Sequence, residues 1–225
     1  MTDRVDTVLF DLDGTLVEYE RHGREVLAAA FEDVGVEPFF DIEEYVARFE
    51  SYVDDSDDVD DVRRRAFADI AAEKGREPEL GRSVAGAFAA ERDHTRVRLL
   101  PGAADLVESL AEDHRLGVVT NGSPAMQRQK LDGVGLTDAF ETVVYAGYDT
   151  RAKPAPDPFY RALDALDSSP NRAIHVGNSL EADVAGALAA DCRAGWVPAL
   201  PDVTPDPEPH YSFPDLWAVD ERPWL

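Results

Sequence analysis

Four times in this chain a short apolar run leads into a loop of small, polar or charged residues, and this repetition constrains the fold more than any other feature. Val8-Leu9-Phe10 stops at Asp11-Leu12-Asp13-Gly14-Thr15, and Leu116-Gly117-Val118-Val119 stops at Thr120-Asn121-Gly122-Ser123-Pro124. A third run leads to Lys153-Pro154-Ala155-Pro156, and Ala173-Ile174-His175-Val176 stops at Gly177-Asn178-Ser179 with Asp183 beyond. Strand-like runs over 7–10, 116–120, 142–146, 173–176 and 194–197 alternate with helical patterns. That alternation predicts a parallel sheet with right-handed crossovers, a doubly wound, Rossmann-like α/β core. Ligands of such sheets bind beyond the carboxyl ends of the strands, where all four loops fall.

The chemistry at these ends is suggestive piece by piece. Asp11 and Asp13 are two apart at a strand end, so both face one side while Leu12 faces the core. Two crowded carboxylates imply a bound cation or a perturbed pKa; an ordinary Asp-Gly turn is the alternative. Thr120, Asn121 and Gly122 precede a helix over about 125–132, a junction suited to an anion, though a Ser-capped helix reads the same way. Lys153 is one of three lysines against nineteen arginines. Set between prolines, it is a compact cation able to reach a phosphate, or else a surface lysine in a stiff turn. Asn178, Asp183 and Glu181 offer oxygen ligands for a hard cation, or acids serving a helix dipole.

Taken together and in this order, these signatures resemble the haloacid dehalogenase superfamily, most of whose members are phosphatases. Thr120-Asn121-Gly122 with Gln129-Lys130-Leu131 looks most like the branch of pyrimidine 5′-nucleotidases and sialic acid 9-phosphate phosphatases. The resemblance implies that Asp11 is the nucleophile and forms an aspartyl-phosphate, and that Asp13 is the general acid and base. It implies that Thr120, Asn121, Gly122 and Lys153 hold the phosphoryl group. It also implies that magnesium (Mg2+) sits between Asp11, the main-chain carbonyl of Asp13 and the Asn178 turn, with Asp183 assisting. The family usually has Asp where this chain has Asn178, which removes a formal charge and points to weaker metal affinity. Asp13 argues against a 2-haloacid dehalogenase, which lacks that acid; a phosphomutase and a non-catalytic phosphate-binding protein are the alternatives.

Between residues 17 and 96 the pattern turns helical, with apolar spacings of three and four over 25–34, 42–52, 59–74 and 79–93. This predicts an all-helical cap over 17–96 inserted into a core of 1–16 and 97–225, with Leu99-Leu100-Pro101-Gly102 as the return hinge. Such a cap acts as a lid and sets selectivity. Tyr19, Arg21, His22, Phe39, Phe40 and Tyr45 are candidates for that role, although each reads more simply as packing or surface. The acidic run 54–61 lacks the glycine and terminal glutamate of a calcium loop and reads as a solvated connector. His94, His114 and His175 read as structural.

Composition narrows the setting. Forty-six acidic against 22 basic residues give a net charge of −24, which opposes binding to nucleic acid or anionic membranes and leaves a small phosphorylated metabolite as the expected partner. Lone Cys192 forms no intramolecular disulfide and reads as a small apolar residue. No signal-peptide profile or spanning apolar stretch is present, so a cytoplasmic location is expected. The Pro-rich tail from 201, carrying Trp217 and Trp224, is expected to lie extended over the core. The acid excess and the scarcity of lysine predict a halophilic protein whose self-repulsion is screened by salt. Its melting temperature should therefore rise from low to molar KCl, and a flat or falling profile would contradict that.

Overall fold

The computed structural model describes residues 4–52, 59–200 and 202–224. Most of the acidic run, residues 54–58, lies outside the described residues. The chain divides into two compact units, Tyr19–Arg96 and the segments on either side of it.

The flanking unit is built on a six-stranded sheet. Its strands are β1 (Thr7–Phe10), β4 (Arg115–Asn121), β5 (Thr142–Ala146), β6 (Ala173–Gly177), β7 (Arg193–Trp196) and β8 (Tyr211–Ser212). They run in the order β5-β4-β1-β6-β7-β8, and every neighbouring pair is parallel. All four residues of β1 are buried, the signature of a parallel strand covered on both faces. Its alternation sorts the core. Val8 and Phe10 pack with Leu106 and Leu110 of helix α5 (Ala103–Ala111) and Leu131 of α6 (Pro124–Gly133). Leu9 packs on the other face with Phe159 and Leu163 of α7 (Asp157–Ala165) and Ala187 of α8 (Ala185–Ala189). The chain steps outward from β1 to β4 and β5, then returns to the opposite side of β1 as β6. Strand order reverses at β1, which creates a crevice at its carboxyl end.

Among the described residues the inserted unit holds four helices: α1 (Gly23–Val34), α2 (Ile42–Glu50), α3 (Val59–Glu73) and α4 (Pro78–Glu91). An aromatic cluster fills it. The ring of Tyr45 lies 4.8 Å from Phe67 and 5.5 Å from Phe88, and Phe40 meets Phe31 and Phe67 edge to face. Edge-to-face pairs of this kind add stabilisation beyond area burial. Phe39, Phe40 and Tyr45 therefore belong to this cluster. Tyr19 bonds to His94 at 2.6 Å, Arg21 pairs with Glu91 at 2.9 Å, and His22 caps α1. The chain enters and leaves the unit through a two-stranded sheet of β2 (Val17–Tyr19) and β3 (Val97–Leu99).

The tail departs from its sequence-based expectation. Tyr211–Ser212 pairs with β7 as the sixth strand, and α9 (Leu216–Val219) follows. Phe213, Leu216, Val219 and Trp224 are buried in the core, while Trp217 is exposed. A two-residue strand has no readable alternation, and its register is set by these apolar anchors rather than by local pattern. Among the described residues no helix is long and apolar enough to cross a membrane.

Candidate active site

The carboxyl end of β1 delivers Asp11 into the crevice. Immediately beyond it Gly14, at φ +76°, turns the chain, and a Cβ there would lie 2.7 Å from Asn178 Nδ2. Only glycine meets both demands. The turn brings Thr15 back so that its Oγ1 stands 3.2 Å from Asp11 Oδ2 and 3.2 Å from Asn178 Oδ1.

Lys153 is the hub. Its ammonium donates to Asp11 Oδ1 at 2.8 Å, to Asp183 Oδ1 at 2.6 Å and to the carbonyl of Val119 at 2.7 Å, so all three donors are used. The side chain is 2% exposed. Asn121 fixes this loop from β4: its Oδ1 accepts from Lys153 N at 2.9 Å and its Nδ2 donates to Lys153 O at 3.1 Å. The Asn121 side chain is thus spent on the lysine loop.

Asp183 is held by three protein donors. Oδ1 takes Lys153 and also His175 Nε2 at 3.1 Å, and Oδ2 takes the backbone N–H of Ser179 at 2.9 Å. The wide helical turn Leu180–Val184 carries it back under β6. At Gly177 an added Cβ would fall 2.3 Å from Asp183 Cγ, so the carboxylate needs that bare backbone. Asp183 was expected among metal ligands; three protein donors take part of its acceptor capacity, and Oδ2 keeps room for a further partner. Among the described residues no three His, Cys, Asp or Glu side chains form a metal-binding group.

The electrostatics follow from burial. Burial pushes Asp11 up from 3.8 to about 7, helped by the charges of Asp183 and Asp13 and opposed by Lys153. Burial also penalises the Asp183 carboxylate, yet the lysine charge and the His175 bond outweigh it and hold its pKa below the usual range. Lys153 is raised: burial opposes its charge, and the two carboxylates more than compensate. Burial keeps His175 low and therefore neutral. With Asp183 accepting, its proton is on Nε2, and Nδ1 is a buried acceptor with no described partner. Burial pushes the Cys192 thiol up to about 12, which leaves it inert.

Two residues to which the sequence reading gave no role in the site join it: Lys130, noted only within the branch signature, and Gln127. Lys130 Nζ donates to both oxygens of Asp13, at 2.7 Å each, and Gln127 Nε2 reaches Asp13 Oδ2 at 2.8 Å. Gln127 also donates to Thr120 Oγ1 at 2.7 Å. The scarcity of lysine was the available signal: two of the three lysines in the chain are buried here. Ser123 caps α6 by accepting from Met126 N, and Gly122 leads into it.

A parallel sheet with acids and a buried lysine at its strand ends places a candidate site of the doubly wound α/β class where ligands bind such sheets. Residues 5–191 match the haloacid dehalogenase-like hydrolase family, and the chain belongs to that family. It is 39% identical over 161 residues to the phosphoserine phosphatase of Thermus thermophilus, covering 71% of this chain and 62% of that protein. It is 32% identical over 198 residues to the ribulose-1,5-bisphosphate 5-phosphatase of Halopiger xanaduensis, covering 81% and 80%. The fold is similar to the magnesium-bound HAD hydrolase YfnB of Bacillus subtilis, with a TM-score of 0.78 and 24% identity over 98% of this chain and 99% of that one.

The raised Asp11 has a measurable consequence. Its neutral form is favoured on folding, so the protein loses stability as pH rises from about 4 to about 7, by ~1.4 kcal/mol per unit. Asp11→Asn has no proton to lose. In EDTA its melting temperature should pull ahead of wild type across that window and hold the lead above it. A gap that does not change with pH would contradict burial as the cause.

Proposed function

We propose that this protein is a magnesium-dependent phosphatase that hydrolyses a small phosphomonoester through an aspartyl-phosphate on Asp11. The observation that carries the reading is the buried Lys153 ammonium joined to Asp11 and Asp183 at the mouth of β1. A phosphate dianion approaching an anionic nucleophile meets repulsion that a fixed cation offsets. Phosphatase names among the relatives support the reading, and so does the family.

The roles follow the geometry. Asp11 attacks phosphorus as the bond to the leaving oxygen breaks, and a proton from Asp13 goes to that oxygen to release the alcohol. Water then attacks the acyl phosphate, its proton returns to Asp13, and inorganic phosphate leaves with Asp11 regenerated. Lys153 neutralises charge in both steps. Thr120, whose hydroxyl accepts from Gln127, is left to donate its own hydrogen to a phosphoryl oxygen, with the N–H groups of Asn121 and Gly122 beside it. Asp183, held by Ser179 and His175, serves to orient Lys153.

The residues at the crevice also suit a hard cation. Thr15 has one hydroxyl hydrogen for two acceptors, Asp11 Oδ2 and Asn178 Oδ1, so these two oxygens converge with a donor too few. A magnesium ion would be held by Asp11, Asn178 and the main-chain carbonyl of Asp13, and would supply charge neutralisation and orientation of the phosphate. Asp183, whose Oδ2 accepts a single protein donor, would assist directly or through a water.

The test is phosphate release from a panel of small phosphomonoesters in molar KCl, with magnesium or EDTA. Release should require magnesium, and Asp11→Asn should abolish it while leaving the protein folded. Asn178→Asp restores a charged ligand and should lower the magnesium concentration needed for half-maximal activity. Folded wild type that releases phosphate from no ester would overturn the phosphatase in favour of a phosphomutase or a binding protein, and an unchanged magnesium dependence would remove Asn178 from the metal.

A further inference from the structure

The face that α6 turns toward Asp13 has entered the chemistry so far only through the bond from Gln127 to Thr120. Gln127 and Lys130 are three residues apart and so share one helix face. They are 1% and 3% exposed, yet both direct polar ends at the same carboxylate. An ammonium is withdrawn from water only at considerable cost unless it is paired. Here it meets both oxygens of Asp13 at 2.7 Å. The Asp13 side chain itself stays 39% exposed, so its carboxylate is gripped from the protein side and open on the other. Gln127 ties the grip to the phosphate-facing strand: one amide nitrogen reaches Asp13 Oδ2, Thr120 Oγ1 and, at 3.4 Å, the carbonyl of Asn121. Its Oε1 is buried without a described partner. The amide thus gives up one hydrogen bond to keep its nitrogen between the two residues.

We propose that Lys130 and Gln127 are positioning residues for the proton-transfer step, holding the Asp13 carboxylate at a fixed place relative to Thr120 and the leaving oxygen. This rests on the phosphatase reading above. A carboxylate on the short loop after β1 has free rotation about χ1 and χ2, and without the grip it would sample several rotamers. Only one of these meets the leaving oxygen of an ester whose phosphorus is bound by Thr120 and attacked by Asp11. The pair therefore acts through geometry: the proton passes between Asp13 and oxygen, and Lys130 and Gln127 touch neither substrate nor phosphorus.

The discriminating readout is leaving-group dependence. An alkyl phosphate needs a proton delivered to its leaving oxygen, whereas p-nitrophenyl phosphate releases a stable phenolate without one. In single turnover with magnesium, Lys130→Met, which preserves side-chain length and suits burial, should slow phosphoryl transfer from a wild-type alkyl substrate by ~10²-fold, with KM shifted by less than about threefold. The same variant should slow transfer from p-nitrophenyl phosphate by less than about fivefold. Gln127→Leu should shift the alkyl-to-aryl ratio in the same direction by a smaller factor, and Lys130→Arg, which restores a two-pronged donor, should recover most of it. If Lys130→Met fails to fold, these two variants carry the test. Equal losses on both esters, a raised KM with unchanged kcat, or no loss would each overturn the positioning role while the phosphatase stands. Wild type inactive on every ester would overturn both together.

Discussion

A single ammonium, withdrawn from water and saturated by two carboxylates and a carbonyl, organises the catalytic end of this molecule. Lys153 can be buried because Asp11 and Asp183 offset its desolvation, and the two acids can be buried because it stands between them. Removing any member leaves an uncompensated charge. The assembly is held by second contacts in turn: Asn121 clamps the lysine backbone, His175 and Ser179 hold Asp183, and Thr15 caps Asp11. The net charge of the three ionised groups is negative, and burial leaves Asp11 with a pKa of about 7. The proposed magnesium would meet that residual charge where the oxygens of Asp11 and Asn178 converge on one hydroxyl.

The sheet supplies the geometry at little expense. Because β5, β4, β1 and β6 are neighbours and all run parallel, their carboxyl ends open on one edge, and the four loops that leave it meet without further design. Glycine does the steric work twice: Gly14 lets Asn178 approach the nucleophile loop, and Gly177 lets Asp183 lie against the end of β6.

Much of this was readable beforehand, for a physical reason. Strand ends are marked by the change from apolar runs to polar loops, so the positions of Asp11, Thr120, Lys153 and Asn178 followed from local pattern, as did the parallel sheet. What was not readable depends on contacts between residues far apart in the chain. Lys130 lies 117 residues from Asp13, and nothing in the helical pattern of α6 says which face meets that acid. Asp183 illustrates the same limit. Five residues after Asn178 it read as a metal ligand, and its bonds to Lys153 and His175 across the wide turn at Leu180–Val184 could not be read from that spacing. The bonds of the Asn121 amide to the Lys153 backbone, 32 residues away, were equally unreadable. The sixth strand was missed because two residues carry no periodicity.

The central claim is that Asp11 becomes covalently phosphorylated, and trapping that adduct tests it most directly. Wild-type protein mixed with an active phosphomonoester, quenched in acid during turnover and reduced with borohydride should yield homoserine at position 11, read by peptide mass spectrometry, because hydride reduces an acyl phosphate to the alcohol. Conversion at position 11 that depends on substrate is the predicted result. Turnover with Asp11 unmodified, or with the phosphoryl group trapped on another residue, would contradict the account.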